Sequence, residues 1–180
     1  MNPSAVPGAP GAPATGPGPS AAPAGKTATA LPRFAFIHAQ WHADIVQRGR
    51  DAFLAELARQ QVSADRVDVI EVPGAFEIPL HAQRLARAGG HAAIVACGLV
   101  VDGGIYRHEF VADAVISALM RVQLDSDVPV LSVVLTPKDF HGHAEHQRFF
   151  AEHFVIKGTE AAQACLRTVH SLRRLQALAR

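Results

Sequence analysis

Cysteine and charged residues are scarce in this chain, and each scarcity excludes a class of protein. The 180 residues include two cysteines, Cys97 and Cys165, whose wide separation offers neither a disulfide framework nor a CxxC metal site. Charged residues make up 18% of the chain and leave a formal net charge of +1. Because nucleic-acid and membrane-surface binders usually carry a clustered basic excess, we expect neither kind of partner.

Long apolar runs and targeting segments are also missing. Arg, His, Asp or Glu interrupts every hydrophobic stretch before it reaches the length needed to cross a bilayer. The N-terminus lacks the charged and continuously apolar regions of a secretory signal, and it has too few arginines for a transit peptide. We therefore expect a soluble protein in the reducing environment of the cytoplasm.

The composition changes at about residue 30. Residues 1–30 consist almost entirely of Pro, Ala, Gly, Ser and Thr, with Lys26 as the only charged side chain. Such a segment buries too little apolar surface to offset its ordering entropy, which predicts a disordered tail. Residues 31–180 then form one domain, since the chain is 49% hydrophobic and long enough for one packed core.

Short apolar runs alternate with stretches of helical period in this domain. Four runs predict buried strands, at 33–38, 67–72, 92–97 and 128–135. The segments after them have the apolar spacing of amphipathic helices, and the last such stripe runs from about Thr159 to Leu175. The alternation predicts a three-layer α/β/α domain with a four-stranded parallel sheet of flavodoxin-like topology. Ligands bind such sheets beyond the carboxyl ends of the strands.

The ends of the first two predicted strands carry candidate binding residues. Trp41, the only tryptophan, lies in a turn where its ring could stack on a flat heterocycle, although packing in the core is the alternative. After the second strand, residues 72–79 (Val-Pro-Gly-Ala-Phe-Glu-Ile-Pro) fix a rigid turn. Glu77 in this turn either accepts hydrogen bonds from sugar hydroxyls or favours the following helix through the helix dipole.

The third predicted strand leads into a candidate phosphate-binding turn. Gly103 and Gly104 lie just before a helix start, where free N–H groups and the helix dipole favour an anion. Arg107 adds a fixed positive charge, and His108 adds a group that exchanges protons near neutral pH. The alternative is a surface Arg–His pair without a role.

Histidines are concentrated after the fourth strand and its Thr136-Pro137 end, which raises the question of a metal site. Four of them fall in this segment: His141, His143, His146 and His153. Several imidazoles could converge on zinc, but no cysteine accompanies them and the spacing is not His-Glu-x-x-His. We therefore favour solvated or anion-contacting histidines and expect no metal.

Taken together, four stretches resemble the lumazine synthase family from about Phe34 to the C-terminus. They are residues 72–79, the Gly98-x-Val100-Val101-x-Gly103 turn, Val128-Pro129-Val130, and Lys157-Gly158 followed by Glu160-Ala161-Ala162. Residues 103–110 and the segment 41–44 (Trp-His-Ala-Asp) resemble the family's second bacterial type.

The resemblance implies a reaction that needs no cofactor. In this family, 5-amino-6-(D-ribitylamino)uracil condenses with 3,4-dihydroxy-2-butanone 4-phosphate to give 6,7-dimethyl-8-ribityllumazine, with loss of phosphate and water. Such a site mainly orients two small substrates and moves protons. The alternative of a different class is a flavin or lumazine carrier with vestigial catalysis, and a generic flavodoxin-like signalling domain ranks last.

The resemblance also implies roles for particular residues. The residues implied to contact the pyrimidine and its ribityl chain are Trp41, Ala75, Phe76, Glu77, Leu99, Val100 and Val101. The backbone of Gly104 and Ile105 matches the family's phosphate-binding turn. The family's catalytic histidine falls on Arg107 in an ungapped register, and the histidine of this sequence follows at His108, so both are candidates for the catalytic residue.

Self-association is a further implication, because family sites form between adjacent subunits of a pentamer. We expect a pentamer or a dimer of pentamers. Ser132 stands where the family commonly has a substrate-binding aromatic residue from the neighbouring subunit. The usual phosphate-binding arginine lies in a stretch of altered length, where Arg148 and His146 are both candidates.

Overall fold

A computed structural model describes residues 32–104 and 107–179. Its four strands are β1 (Phe34–Ala39), β2 (Val67–Val72), β3 (Ala93–Leu99) and β4 (Val130–Leu135). Every neighbouring pair is parallel, and the strands lie side by side in the order β2-β1-β3-β4. The predicted four-stranded parallel sheet is therefore confirmed, with the strand order of a flavodoxin-like fold.

A helix follows each strand and covers one face of the sheet. The helices are α1 (Ala43–Arg59), α2 (Ile78–Ala88), α3 (His108–Ser126) and α4 (Ala144–Leu178). Phe53 of α1 and Phe154 of α4 pack with Phe36 on one face, whereas Ile78 of α2 and Val115 of α3 belong to the core on the other. The domain thus has the three α/β/α layers that the sequence predicts.

Burial explains why the strands read as nearly continuous apolar runs. All six residues of β1 and all seven of β3 are buried, because both strands lie inside the sheet with helices on both sides. Strand β2 lies at one edge of the sheet, and only its end residues Val67 and Val72 are buried. The polar residues Asp68 and Glu71 within its apolar run fit this edge position.

Several boundaries differ from the prediction, most of them by one to three residues. Strand β3 continues to Leu99, so Leu99 belongs to the strand, and α4 begins already at Ala144 instead of about Thr159. The early part of α4 buries only Phe150, Phe154 and Gly158. A narrow apolar stripe that contains a glycine gives a weak helical signal, which hides the continuous helix in the sequence.

Helices α1 and α4 approach each other closely at two glycines. A Cβ added to Gly158 would collide with the carbonyl oxygen of Gly49 and lie 2.9 Å from its carbonyl carbon. A Cβ added to Gly49 would lie 3.1 Å from Phe154 Cδ1. Glycine at position 158 therefore permits the crossing of the two helices, which explains this residue of the Lys157-Gly158 motif physically.

The two cysteines lie in the core beneath α1 and α4. Cys97 and Cys165 are both buried free thiols. Burial raises the pKa of both, that of Cys165 to about 12, because a thiolate would lose its hydration there. They therefore act as small apolar side chains and not as nucleophiles.

The predicted tail, residues 1–30, lies outside the described residues. None of the helices described is both long enough and apolar enough to cross a bilayer.

Candidate active site

A cavity of about 570 Å³ opens where β1, β2 and β3 end. Strands β1 and β3 are neighbours whose following helices lie on opposite faces of the sheet, so the chain leaves a crevice between them. The cavity, called the strand-end cavity below, is lined by Trp41, His42, Pro73, Gly74, Ala75, Phe76, Glu77, Leu99, Val100, Val101, Gly103 and Val111. Its lining is mainly apolar, which suits a flat organic ligand.

Seven of the eight residues predicted to bind substrate line this cavity. They are Trp41, Ala75, Phe76, Glu77, Leu99, Val100 and Val101. Residues from three different strand ends are thus brought together, as the rule for parallel sheets predicts. Ser132 is the exception, since it lies exposed on β4 and its Oγ accepts a 3.3 Å hydrogen bond from the N–H of Val134.

Trp41 is held in the turn between β1 and α1. Its side chain is 61% exposed, so the alternative of a core tryptophan is wrong. The next residue, His42, adopts the left-handed conformation with φ of 55° and accepts the N–H groups of Ile45 and Val46 on its carbonyl oxygen. This tight helix start fixes the turn, and the exposed indole ring is available for stacking.

The turn after β2 places an aromatic ring and a carboxylate in the same cavity. Residues Ala75–Glu77 form a 3-10 turn that leads directly into α2, and Phe76 is 64% exposed. The Glu77 carboxylate makes no capping hydrogen bond to α2. Its backbone carbonyl instead accepts a 2.8 Å hydrogen bond from Nδ1 of His81. Glu77 thus lines the cavity, and no capping hydrogen bond ties its carboxylate to the start of α2.

The segment after β3 forms the floor of the cavity. A Cβ added to Gly98 would meet the Cβ atoms of Ala75 and Ala39 at 3.4 and 3.5 Å, which is ordinary van der Waals contact. The N–H of Val100 donates to the carbonyl oxygen of Leu135 at 2.9 Å. This bond holds the chain against β4 as it leaves the sheet, so that Leu99, Val100 and Val101 line the cavity.

The paired glycines form a turn that already holds a carboxylate. Gly104 has a φ of 72°, a conformation that glycine adopts readily. Its N–H donates to Oδ1 of Asp102 at 2.8 Å. The N–H predicted to bind phosphate is thus engaged with an oxyanion of the chain itself. Ile105, the other predicted phosphate-binding residue, lies outside the described residues.

Arg107 and His108 face different surroundings at the start of α3. Arg107 is exposed, and its guanidinium carbon lies 4.8 Å from the centroid of the Phe110 ring, a cation–π contact. His108 is buried, and its Nδ1 lies 3.7 Å from Oε2 of Glu109, too far for a hydrogen bond. Successive residues at a helix start are rotated by about 100°, which separates the two side chains.

His108 lines a second cavity of about 380 Å³ between the start of α3 and the end of β4. The lining of this His108 cavity consists of His108, Glu109, Ala112, Thr136, Pro137 and Lys138. Neither Arg107 nor His108 lines the strand-end cavity. The two candidates for the catalytic residue therefore lie beside the strand-end cavity and not in it.

The two further candidates for phosphate binding lie on the first part of α4. His146 is half-buried, and its Nδ1 accepts a 3.0 Å hydrogen bond from the N–H of His141, whose ring stacks on it at 5.3 Å. Arg148 is exposed. Neither residue lines the strand-end cavity or the His108 cavity. Across residues 32–104 and 107–179, no three potential metal ligands come together.

His38 is a buried titratable group close to the site but outside both cavities. It lies on β1, three residues before Trp41, and is 1% exposed. Burial lowers its pKa below the ordinary value, and the positive charge of Arg50 lowers it further. Nε2 of His38 lies 3.9 Å from a carboxylate oxygen of Glu71. These surroundings favour the neutral form of the imidazole.

Several lining residues were not predicted from the sequence, among them two with basic side chains. His42 lines the strand-end cavity next to Trp41, and Lys138 lines the His108 cavity. Both could have been found by extending the strand-end rule by one residue, because His42 follows Trp41 and Lys138 follows Thr136-Pro137.

Comparison with known proteins covers nearly the whole described chain. The family model for 6,7-dimethyl-8-ribityllumazine synthase matches residues 32–173. A 6,7-dimethyl-8-ribityllumazine synthase of Rhodococcus erythropolis is 64% identical over 143 residues, which cover 79% of this chain and 92% of that protein.

Two further relatives have names that match the predicted bacterial type. Proteins named 6,7-dimethyl-8-ribityllumazine synthase 2 occur in Pseudomonas syringae pv. tomato and Bradyrhizobium diazoefficiens. The first is 60% identical over 81% of this chain and 87% of its own length. The second is 58% identical over 80% of this chain and 86% of its own length. The resemblance seen in the sequence is confirmed, and the chain belongs to the 6,7-dimethyl-8-ribityllumazine synthase family.

Proposed function

We propose that this chain condenses 5-amino-6-(D-ribitylamino)uracil with 3,4-dihydroxy-2-butanone 4-phosphate, and releases phosphate, water and 6,7-dimethyl-8-ribityllumazine. The observation that carries the proposal is the strand-end cavity, where seven residues implied by the family resemblance meet. The relatives at 58% to 64% identity are named as synthases. They do not favour the alternative of a carrier with vestigial catalysis.

In this proposal the strand-end cavity binds the pyrimidine and its ribityl chain. The exposed indole of Trp41 stacks on the ring, and Phe76 provides a second exposed aromatic surface. Glu77 has no capping bond to α2, so its carboxylate is available to ribityl hydroxyls. Leu99, Val100 and Val101 close the apolar floor and exclude water from the ring edge.

Proton transfer is assigned to the start of α3. The reaction forms a Schiff base with loss of water, eliminates phosphate and closes a ring, and each step moves a proton. His108 is the better candidate for the proton shuttle, because an arginine stays protonated whereas an imidazole exchanges protons near neutral pH. Arg107, fixed over the Phe110 ring, acts as an electrostatic partner for the phosphate, next to Gly104 and Ile105.

The active form in this proposal is a pentamer or a dimer of pentamers. Several large apolar side chains are exposed on the described chain, among them Phe110, Met120, Leu124, Phe149 and Ile156, and their burial between subunits would favour assembly. Ser132, His146 and Arg148 lie outside the strand-end cavity of their own chain. They act, in this proposal, on the site of the neighbouring subunit.

The proposed location is the cytoplasm. Two buried free thiols fit its reducing environment.

The decisive experiment is product formation by the purified full chain, measured against the spontaneous condensation. We expect a rate well above background, a loss of about 10²–10⁴-fold in kcat for His108→Ala, and a smaller loss for Arg107→Ala that appears mainly in KM for the phosphate substrate. No rate above background, together with tight riboflavin binding, would instead identify a carrier. Equal losses in kcat for both variants would overturn the assignment of His108.

A further inference from the structure

Gly74 lies in the turn after β2, although its backbone conformation does not require a glycine. Its φ is −145° and its ψ is 177°, an extended conformation that residues with side chains adopt without strain. Turns commonly select glycine because it tolerates a positive φ, and this reason does not apply to Gly74. The glycine at this position therefore needs a steric explanation, from the atoms that lie beside its Cα.

The Glu77 carboxylate occupies the space beside Gly74. A Cβ added to Gly74 would lie 3.1 Å from Oε2 of Glu77, and no other described atom beyond the two chain neighbours lies within 4 Å. At this distance one of the two atoms must move by a few tenths of an ångström. The turn brings the residues together, because the N–H of Glu77 donates to the carbonyl oxygen of Gly74 in a long hydrogen bond of 3.4 Å. The absence of a side chain at Gly74 thus leaves room that the carboxylate uses.

The position of this carboxylate depends on the space around it. The side chain of Glu77 makes no capping hydrogen bond to α2, so the helix start does not fix it. Gly74 is buried and Glu77 is half-buried, and both line the strand-end cavity. A side chain at position 74 would therefore displace the carboxylate within the cavity wall without meeting the rest of the turn.

We propose that Gly74 is a positioning residue for the Glu77 carboxylate, and that its lack of a side chain sets where the hydroxyl groups of a ribityl chain are recognised. The inference rests on the proposed function, in which Glu77 accepts hydrogen bonds from those hydroxyls, and deepens it. A hydrogen bond from a hydroxyl to a carboxylate is short, about 2.5–2.7 Å between the oxygens. A displacement of a few tenths of an ångström therefore weakens it.

Replacement of Gly74 by alanine separates this role from a structural one. The atom that meets the added Cβ is the far end of a flexible side chain, so moving the carboxylate relieves the collision and the fold stays intact. Alanine also restricts the unfolded chain more than glycine does, which favours the folded state where the backbone conformation suits both. We therefore expect the free energy of unfolding of Gly74→Ala to equal or exceed that of the wild-type protein.

The test compares the dissociation constants of two ligands, measured by calorimetry on the full chain. One ligand is 6,7-dimethyl-8-ribityllumazine, and the other is the same lumazine ring with a methyl group in place of the ribityl chain. We expect Gly74→Ala to raise the dissociation constant of the ribityl ligand about tenfold, as for the loss of one charged hydrogen bond. The dissociation constant of the methyl ligand should stay unchanged, because this ligand has no hydroxyl group for Glu77.

Gly142→Ala is the matched control for this substitution. Its added Cβ meets no atom within 4 Å, and Gly142 lines neither the strand-end cavity nor the His108 cavity. Both ligands should bind to this variant as they bind to the wild-type protein. Equal losses for the two ligands in Gly74→Ala, or a lower free energy of unfolding than in Gly142→Ala, would indicate a general distortion and overturn the inference.

A second mutation shows whether Gly74 acts through Glu77 or touches the ligand itself. In a Glu77→Ala background the carboxylate is gone, so Gly74→Ala should weaken binding of the ribityl ligand no further. Additive effects of the two mutations would contradict the proposal, since the added methyl group would then collide with the ligand directly. An unchanged dissociation constant of the ribityl ligand in Gly74→Ala would contradict it as well.

These binding measurements are independent of turnover, so the inference and the proposed function fail separately. If the chain makes no product but the two mutations show the expected non-additive loss for the ribityl ligand, the role of Gly74 stands and the synthase proposal fails. If product forms and Gly74→Ala binds the ribityl ligand as tightly as the wild-type protein, the synthase proposal stands and the role of Gly74 is wrong.

Discussion

Replacement of Gly158 by alanine should force α1 and α4 apart. The added Cβ would collide with the Gly49 carbonyl oxygen and lie 2.9 Å from the carbonyl carbon and 3.0 Å from Cα. These are backbone atoms, so no side-chain rotation relieves the collision and one helix must move. Alanine would favour the helix by about 0.5–1 kcal/mol over glycine, whereas overpacking of a core costs about 1–3 kcal/mol and occasionally more. We expect a net loss near the upper end of that range.

The free energy of unfolding, measured with denaturant at one fixed protein concentration, checks this expectation. Gly142→Ala is the control without collision, because no atom lies within 4 Å of its added Cβ. Gly49→Ala should fall between the two, since its nearest neighbour is the movable ring of Phe154 at 3.1 Å. If Gly158→Ala is as stable as the wild-type protein, the close approach of the helices is wrong.

Two further predictions concern Glu77 and His38. Glu77→Gln should raise KM for the pyrimidine about tenfold, as expected for a lost charged hydrogen bond. The free energy of unfolding should stay unchanged, because Glu77 makes no capping bond. A loss of stability with a normal KM would instead indicate that Glu77 acts at the helix end. Because the pKa of His38 is lowered in the folded state, the unfolded chain takes up the proton first as the pH falls below about 6.5, and stability then decreases. In His38→Leu, the free energy of unfolding should depend less on pH between pH 7 and pH 5, by at most about 1.4 kcal/mol per pH unit. The same slope in the variant and the wild-type protein would show that His38 does not resist protonation.

The fold was predictable from the sequence because burial on both faces makes β1 and β3 continuous apolar runs. The rule that ligands bind at strand ends then predicts one cavity for Trp41, Phe76 and Glu77. The sequence could not decide whether Trp41 lies in the core or in the cavity, because an indole is apolar enough for either position. Its 61% exposure decides the question.

Other features depend on contacts that no local pattern records. The divergence of Arg107 and His108 follows from the start of α3 at His108, and a sequence pattern does not define a helix boundary to one residue. The hydrogen bond from the Gly104 N–H to Asp102 was not predictable either, because the same N–H could bind any nearby anion. Gly158 interrupts a helical pattern locally, yet it permits the crossing of α1 and α4, which requires knowing that Gly49 lies opposite.

The most direct test of the central claim uses the single tryptophan of the chain. Because Trp41 lines the strand-end cavity, its fluorescence reports on this cavity without interference from another indole. Titration of the full chain with 6,7-dimethyl-8-ribityllumazine, corrected with free tryptophan for absorption by the ligand, should give saturable quenching by a stacked ring. Product formation without any saturable change in Trp41 fluorescence would contradict the account, because it would place the heterocycle elsewhere.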